Sequence, residues 1–281
     1  MANPSYEHFI RPPKGFLYIN WPELWRYRDL FIVLAWRDIA VRYKQTALGV
    51  LWALFQPIIT MVIFSFIFNR MAGIKSGDGT PYPIFLFVGL LLWQFFSNTL
   101  SNAAHSLVAN ALLIQKTYFP RLALPAATAA TALVDLGIAS LVLIAMMIYY
   151  GFRPHLIGIV ILPVLLFCAI TAAMGLGLLL AAVNVKFRDV RHALPFFIQI
   201  LMYITPVIYP VSMIDKYPIV KWLMLILNPI SGVITNARAG ILGQSPIDWL
   251  MLGITLVMSI VHFVCGLYYF RNTERYFADI I

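Results

Sequence analysis

The stretch Ile157 to Asn184, IGIVILPVLLFCAITAAMGLGLLLAAVN, contains no charged side chain. It exceeds the roughly 20 apolar residues that an α-helix needs to cross a hydrocarbon core about 30 Å thick. Working outward, further apolar runs occupy 48–70, 83–108, 122–150, 193–210 and 248–270. The 281 residues are 62% hydrophobic and 11% charged, with a mean hydropathy of +0.85, whereas soluble domains carry about 25% charged residues. A water-soluble globule is excluded. In lipid a helix satisfies its own backbone, so the pattern predicts an all-α polytopic membrane protein with six transmembrane helices. Cys168 and Cys265 lie inside apolar runs and read as small hydrophobes. No cleavable signal peptide is visible before residue 47.

Six crossings put both termini on one side. The loops holding Arg37, Arg42, Lys44, Lys116, Arg121, Lys186, Arg188, Arg191, Arg271 and Arg275 outweigh those holding Arg70, Lys75, Arg153, Lys216, Lys221 and Arg238. The positive-inside rule therefore makes both termini cytoplasmic. The net charge of +9 belongs to this bias, and no nucleic-acid module is present. Between 211 and 247, two apolar runs too short to cross flank Asn228-Pro229 and predict an external re-entrant helical hairpin; a seventh span is the alternative. Residues 1–47 form a cytoplasmic segment in which Glu23 to Thr46 mixes Leu34, Trp36 and Ile39 with Arg37, Asp38 and Arg42. It reads as an amphipathic helix at the headgroup plane, or as a surface helix packed on the bundle with an Asp38–Arg42 pair at i, i+4.

No GxxxxGK[ST] loop, HExxH, CxxC or GxSxG motif occurs, so nucleotide chemistry has to come from a partner, and no metal site is expected. Asp135 stands alone in a span, which makes it either a proton carrier or a helix-packing group. Gln94, Asn98, Ser101, Asn102 and His105 share one face of the second span, as interhelical hydrogen-bonding groups or as a wetted wall. On the fifth span Phe196, Gln199, Tyr203, Pro206 and Pro210 recur on one face. Trp52, Phe64 and Phe68 of the first add rings, and such surfaces stack on sugars or simply pack. Two short loops, Gln115 to Arg121 and Lys186 to Arg191, mix aromatics with cations, in a composition suited to a protein partner or as ordinary positive-inside loops.

The run from Trp36 to Trp52, WRDIAVRYKQTALGVLW, followed by Gln56-Pro57, resembles the opening segment of ABC-2 type permeases that export polysaccharides and polyol phosphates. The likeness covers the chain, through the Lys116 to Arg121 loop, the Asn184 to Val190 segment, and Asn228, Pro229 and Arg238. Residues 48–281 then correspond to the six-span ABC-2 domain. The resemblance implies a homodimer with two separate ABC ATPase subunits, no enzymatic activity or cofactor in this chain, and ATP and Mg on the partner. It further implies a coupling helix formed by Gln115, Lys116, Tyr118, Phe119, Pro120 and Arg121; on mechanistic grounds the external hairpin, marked by Asn228, Pro229 and Arg238, is a candidate gate. Its substrate would be a polyprenyl-linked glycan, O-antigen-like or teichoic-acid-like, in a bacterial cytoplasmic (inner) membrane. Arg37, Arg42 and Lys44 would receive the lipid pyrophosphate, and Trp52, Phe64, Phe68, Phe196, Gln199 and Tyr203 would line the channel. An ABC-2 exporter of drugs or small lipids, and a prenyl-lipid membrane enzyme, are the rival readings.

Overall fold

A computed structural model describes residues 21–44, 50–154, 156–187, 189–243, 245–275 and 277. The Thr46 end of the interface segment and Arg188 lie outside these residues. Among the described residues every regular element is helical. The order is α1 (Trp21–Arg26), α2 (Arg28–Lys44), α3 (Val50–Phe64), α4 (Tyr82–Ala109), α5 (Ala111–Lys116), α6 (Ala123–Tyr150), α7 (Leu156–Lys186), α8 (Val190–Ile204), α9 (Pro218–Leu227), α10 (Ile230–Leu242) and α11 (Trp249–Glu274). α3 continues as a π-helix over Ser65–Met71. Gly151, at φ 72°, ends α6 in the left-handed region where a Cβ is unfavourable.

Five helices are long and apolar enough to cross: Leu51–Met71, α4, α6, α7 and α11. The expected crossing at 193–210 is built differently. Its helix, α8, has 15 residues, about 22 Å at 1.5 Å per residue. Pro206 is the cause, because a residue before proline is pushed out of the helical region, and Thr205 is extended at ψ 140°. The chain nevertheless reaches the opposite end of the bundle. α8 follows Lys186, near which Asn184 donates to the Ala104 carbonyl of α4 at 2.9 Å. It leads to Ile208, whose carbonyl accepts from the Tyr82 hydroxyl at 2.7 Å, at the other end of α4. Thr205 to Ile208 are buried, which is the condition under which non-helical backbone is tolerated at membrane depth.

The α9–α10 pair bends by 102° across Asn228-Pro229. It starts beside the Tyr82 end, where Gly77 abuts Pro210 and Ser212, and it returns there, where Gly240 packs on Gly158 at the start of α7. The pair goes in and out at one end, so it is the re-entrant hairpin and the seventh-span alternative falls.

α4 is the central helix, packed on α6, α7, α10, α3 and α8. One core cluster surrounds its first half; a second, at the Lys186 end, joins Leu34 and Ala35 of α2 to Ile114, Phe119, Leu178 and Phe270. Small residues allow close backbone approach between helices: a Cβ on Gly266 of α11 would sit 1.9 Å from the Gly175 carbonyl of α7.

A polar face, a basic end and a pinned hairpin: the candidate functional site

Between Ile84 and Leu107 of α4 the residues that are not buried are Gln94, Ser97, Asn98, Ser101, Asn102 and His105. All are polar and all fall on one helix face. The other crossings show the opposite pattern at their surfaces, with Leu51, Val62 and Phe66 on the first, Ile144 and Ile148 on α6, Val160 and Phe167 on α7, and Val257 and Val264 on α11 exposed. Those positions suit lipid; the α4 face does not. Cross-helix hydrogen bonding accounts for one end of it, where Asn184 lies 3.3 Å from His105 Nδ1. Ser97 donates within α4, to the Gln94 carbonyl at 3.2 Å. Gln94, Asn98, Ser101 and Asn102 make no side-chain hydrogen bond to another helix among the described residues. α3 packs on α4 and α6, and α8 packs on α4 and α7; Asn102 is the exposed member of the polar face and the others are half-buried.

Those flanking helices are the loosely packed ones. Only 6% of the first crossing's apolar window is buried, against 78% for α4. On α8, Leu194, Ile198, Leu201 and Met202 form the inward seam, while Phe196, Gln199 and Tyr203 are exposed, Phe196 at 68%. Pro206 and Pro210 do not continue that face; they lie beyond the helix end and are buried, because the break at Thr205 rotates them out of register. Trp52 is exposed and stacks beside Phe55 at 6.4 Å, whereas Phe64 and Phe68 meet edge-on at 5.4 Å and turn towards the core. Of the ring residues proposed for a channel, Trp52, Phe196 and Tyr203 are therefore at the surface, and Phe64 and Phe68 are half-buried.

At the Lys186 end, Gln115, Lys116, Thr117 and Tyr118 project outward, and Phe119 and Pro120 anchor the loop by burial. Residues Ile114 to Phe119 and Arg121 line a cleft of about 230 Å³. Arg121 points back into its own chain. It donates to the Glu274 carbonyl and lies over the Phe277 ring at 5.9 Å. Lys116 and Arg121, equivalent in the sequence, thus differ: the first is presented and the second fastens the loop to α11.

α2 packs along α6, which answers to the bundle-packed form of the interface helix. The expected Asp38–Arg42 pair is replaced. Asp38 pairs with its neighbour Arg37 at 2.8 Å, and Arg42 pairs with Asp135 of α6 at 2.6 Å. Arg42 thereby serves a carboxylate that is 13% exposed, in preference to the more exposed Asp38; an unpaired charge is costlier the deeper it lies. The Tyr43 hydroxyl also donates to Asp135. Burial first, and then that hydrogen bond, hold the Tyr43 phenol above its ordinary range, so it stays protonated and donating. Sequence spacing gave no hint of this trio. The one available signal was that a lone acid in a span demands a partner.

Arg238, placed by sequence in the hairpin, is 6% exposed. Its Nε donates to the Phe85 carbonyl at 3.0 Å, Nη1 to Pro206 at 2.7 Å and Nη2 to Val207, and its guanidinium covers the Phe85 ring at 3.6 Å. Asn228 donates to the Thr205 hydroxyl at 2.7 Å. The hairpin is thus tied by side chains to the break after α8, and Gly89 leaves the room, since a Cβ there would lie 2.3 Å from Arg238 Nη2.

The described residues form a multi-pass helical membrane protein with a polar face on its most buried crossing, and no group of metal-ligating residues occurs among them. Residues 29–242 match the family described as ABC-2 type transporter, and the chain belongs to it. Among curated relatives it is 32% identical over 218 residues to the O-antigen export system permease protein RfbA of Myxococcus xanthus, covering 77% of this chain and 82% of that one. To the protein of the same name from Klebsiella pneumoniae it is 28% identical over 254 residues, covering 90% and 95%. The polysialic acid transport protein KpsM of Escherichia coli is 24% identical over 245 residues, covering 85% and 91%.

Proposed function

We propose that this chain is the permease subunit of an ATP-driven exporter of a lipid-linked polysaccharide in a bacterial cytoplasmic membrane. The relatives' names, O-antigen export system permease and polysialic acid transport protein, support the substrate class. The observation that carries the reading is the polar, incompletely buried face of α4, a helix that also packs against aromatic-bearing α3 and α8. Amides and hydroxyls offer both donors and acceptors to sugar hydroxyls, while exposed rings stack on sugar C–H faces. Two copies with these faces opposed would enclose a passage that neither copy has alone. Two ABC ATPase subunits would bind ATP and Mg and engage Gln115 to Tyr118 at the basic end, which holds Lys116, Lys186 and Arg191 and is assigned to the cytoplasm.

In the cycle, Arg37, Arg42 and Lys44 receive the polyprenyl pyrophosphate through charge-assisted hydrogen bonds. The glycan then advances along α4, and the α9–α10 hairpin closes the outer end between cycles. The test is Asn98→Leu with Asn102→Leu, scored for surface polysaccharide and for recovery of the assembled complex. Export is expected to fall at least about ten-fold with assembly retained, the scale of losing two polar contacts of about 0.6–2 kcal/mol each. Full export by the double variant would refute the polar-passage assignment.

A further inference from the structure

The carboxylate of Asp135 on α6 pairs with Arg42 and accepts a hydrogen bond from Tyr43, both of α2. α6 has 28 residues, about 42 Å, and therefore overruns a core of about 30 Å. Its far end carries the ring pair Tyr149–Tyr150, the side-chain chemistry favoured at a membrane interface. Counting back about 20 residues from there puts the opposite boundary near residue 130, so Asp135 lies a turn or so inside it, within reach of headgroup phosphates. There it neutralises Arg42 at 2.6 Å, yet the Arg42 side chain is 40% exposed while Asp135 is 13% exposed. The cation faces outward and its counter-ion stands behind it. Tyr43 donates to that same carboxylate from the side, so Asp135 keeps one partner if Arg42 turns away.

We propose that Asp135 is a positioning residue acting through Arg42, an internal anion that a polyprenyl pyrophosphate displaces on binding and that reclaims Arg42 on release. The inference rests on the lipid-linked substrate proposed above. A pyrophosphate brings more negative charge and more acceptor oxygens than one carboxylate, so it wins Arg42 when present. The carboxylate keeps the site weak enough to let the anion go. Tyr43 lowers the cost of the open state by holding the abandoned carboxylate.

The experiment uses the permease with its ATPase subunits in phosphatidylcholine nanodiscs, titrated with glycan-free polyprenyl pyrophosphate. Three versions are compared: wild type, Asp135→Asn and Tyr43→Phe. Asp135→Asn removes the competitor and is expected to bind about ten-fold more tightly while export turnover falls, so affinity and rate move in opposite directions. Tyr43→Phe leaves the carboxylate dependent on Arg42 and is expected to bind about five-fold more weakly. A purely structural ion pair predicts no gain in affinity from Asp135→Asn. Unchanged or weaker binding by a folded Asp135→Asn complex overturns the inference. If that variant does not assemble, unchanged binding by Tyr43→Phe overturns it. Absence of binding by the wild type overturns the lipid-carrier reading, and this proposal with it.

Discussion

Replacing Arg238 by methionine keeps most of the side chain's bulk and removes its donors. Three carbonyls, of Phe85, Pro206 and Val207, then lose their partner at once. A buried carbonyl without a partner costs about 1–3 kcal/mol, and polar contacts inside membrane proteins are worth about 0.6–2 kcal/mol. Removing the buried cation recovers part of its desolvation cost, and the ring contact with Phe85 is lost as well. The balance is a loss of about 2–4 kcal/mol, at the low end of three summed contacts because the carbonyls relax towards other donors. Lysine in this position has a single ammonium and cannot match three divergent acceptors, so Arg238→Lys falls between wild type and methionine. The assay is reversible unfolding in mixed detergent micelles, followed by helical signal. Proteolysis near Tyr209 should also accelerate in the methionine variant, because the stretch after α8 loses its fastening. An Arg238→Met protein within about 0.5 kcal/mol of wild type, with unchanged proteolysis, would refute the clamp.

Two further predictions concern packing and coupling. Gly266→Ala places a methyl 1.9 Å from the Gly175 carbonyl and should cost about 1–3 kcal/mol by overpacking, measured in the same micelles. Gly253→Ala, where nothing lies within 4 Å of the new carbon, should be neutral or stabilising by up to about 1 kcal/mol; equal effects at the two positions would refute the close α7–α11 approach. Lys116→Glu should abolish copurification of the ATPase from a permease of normal stability. Arg121→Glu should lower permease stability itself, since its partners are Glu274 and Phe277; identical stabilities would remove that distinction.

The long crossings were legible because a charge-free run such as 157–184 has one physical outcome in lipid, and the α9–α10 turn was legible in Asn228-Pro229. The break after α8 was present in the sequence as Pro206 and Pro210, but hydropathy treats proline as part of an apolar run, so the crossing looked like continuous helix. Composition also separated the polar residues of α4 without saying whether other helices would satisfy them. That depends on which faces of α4 its neighbours cover, a fact of tertiary arrangement. The Arg42–Asp135 pair was beyond any spacing rule, whereas Asp38–Arg42 obeyed one and did not form: a local rule predicts an exposed pair, and the deeper carboxylate outbids it.

The tie between the hairpin and the stretch after α8 constrains how the Tyr82 end of the bundle can rearrange. Swinging α10 away on its own would strand the carbonyls of Pro206 and Val207 in a setting with no water to replace the guanidinium. The less costly motion carries α10 and the stretch after Ile204 together as one body, so that any rearrangement at this end of the bundle involves both at once.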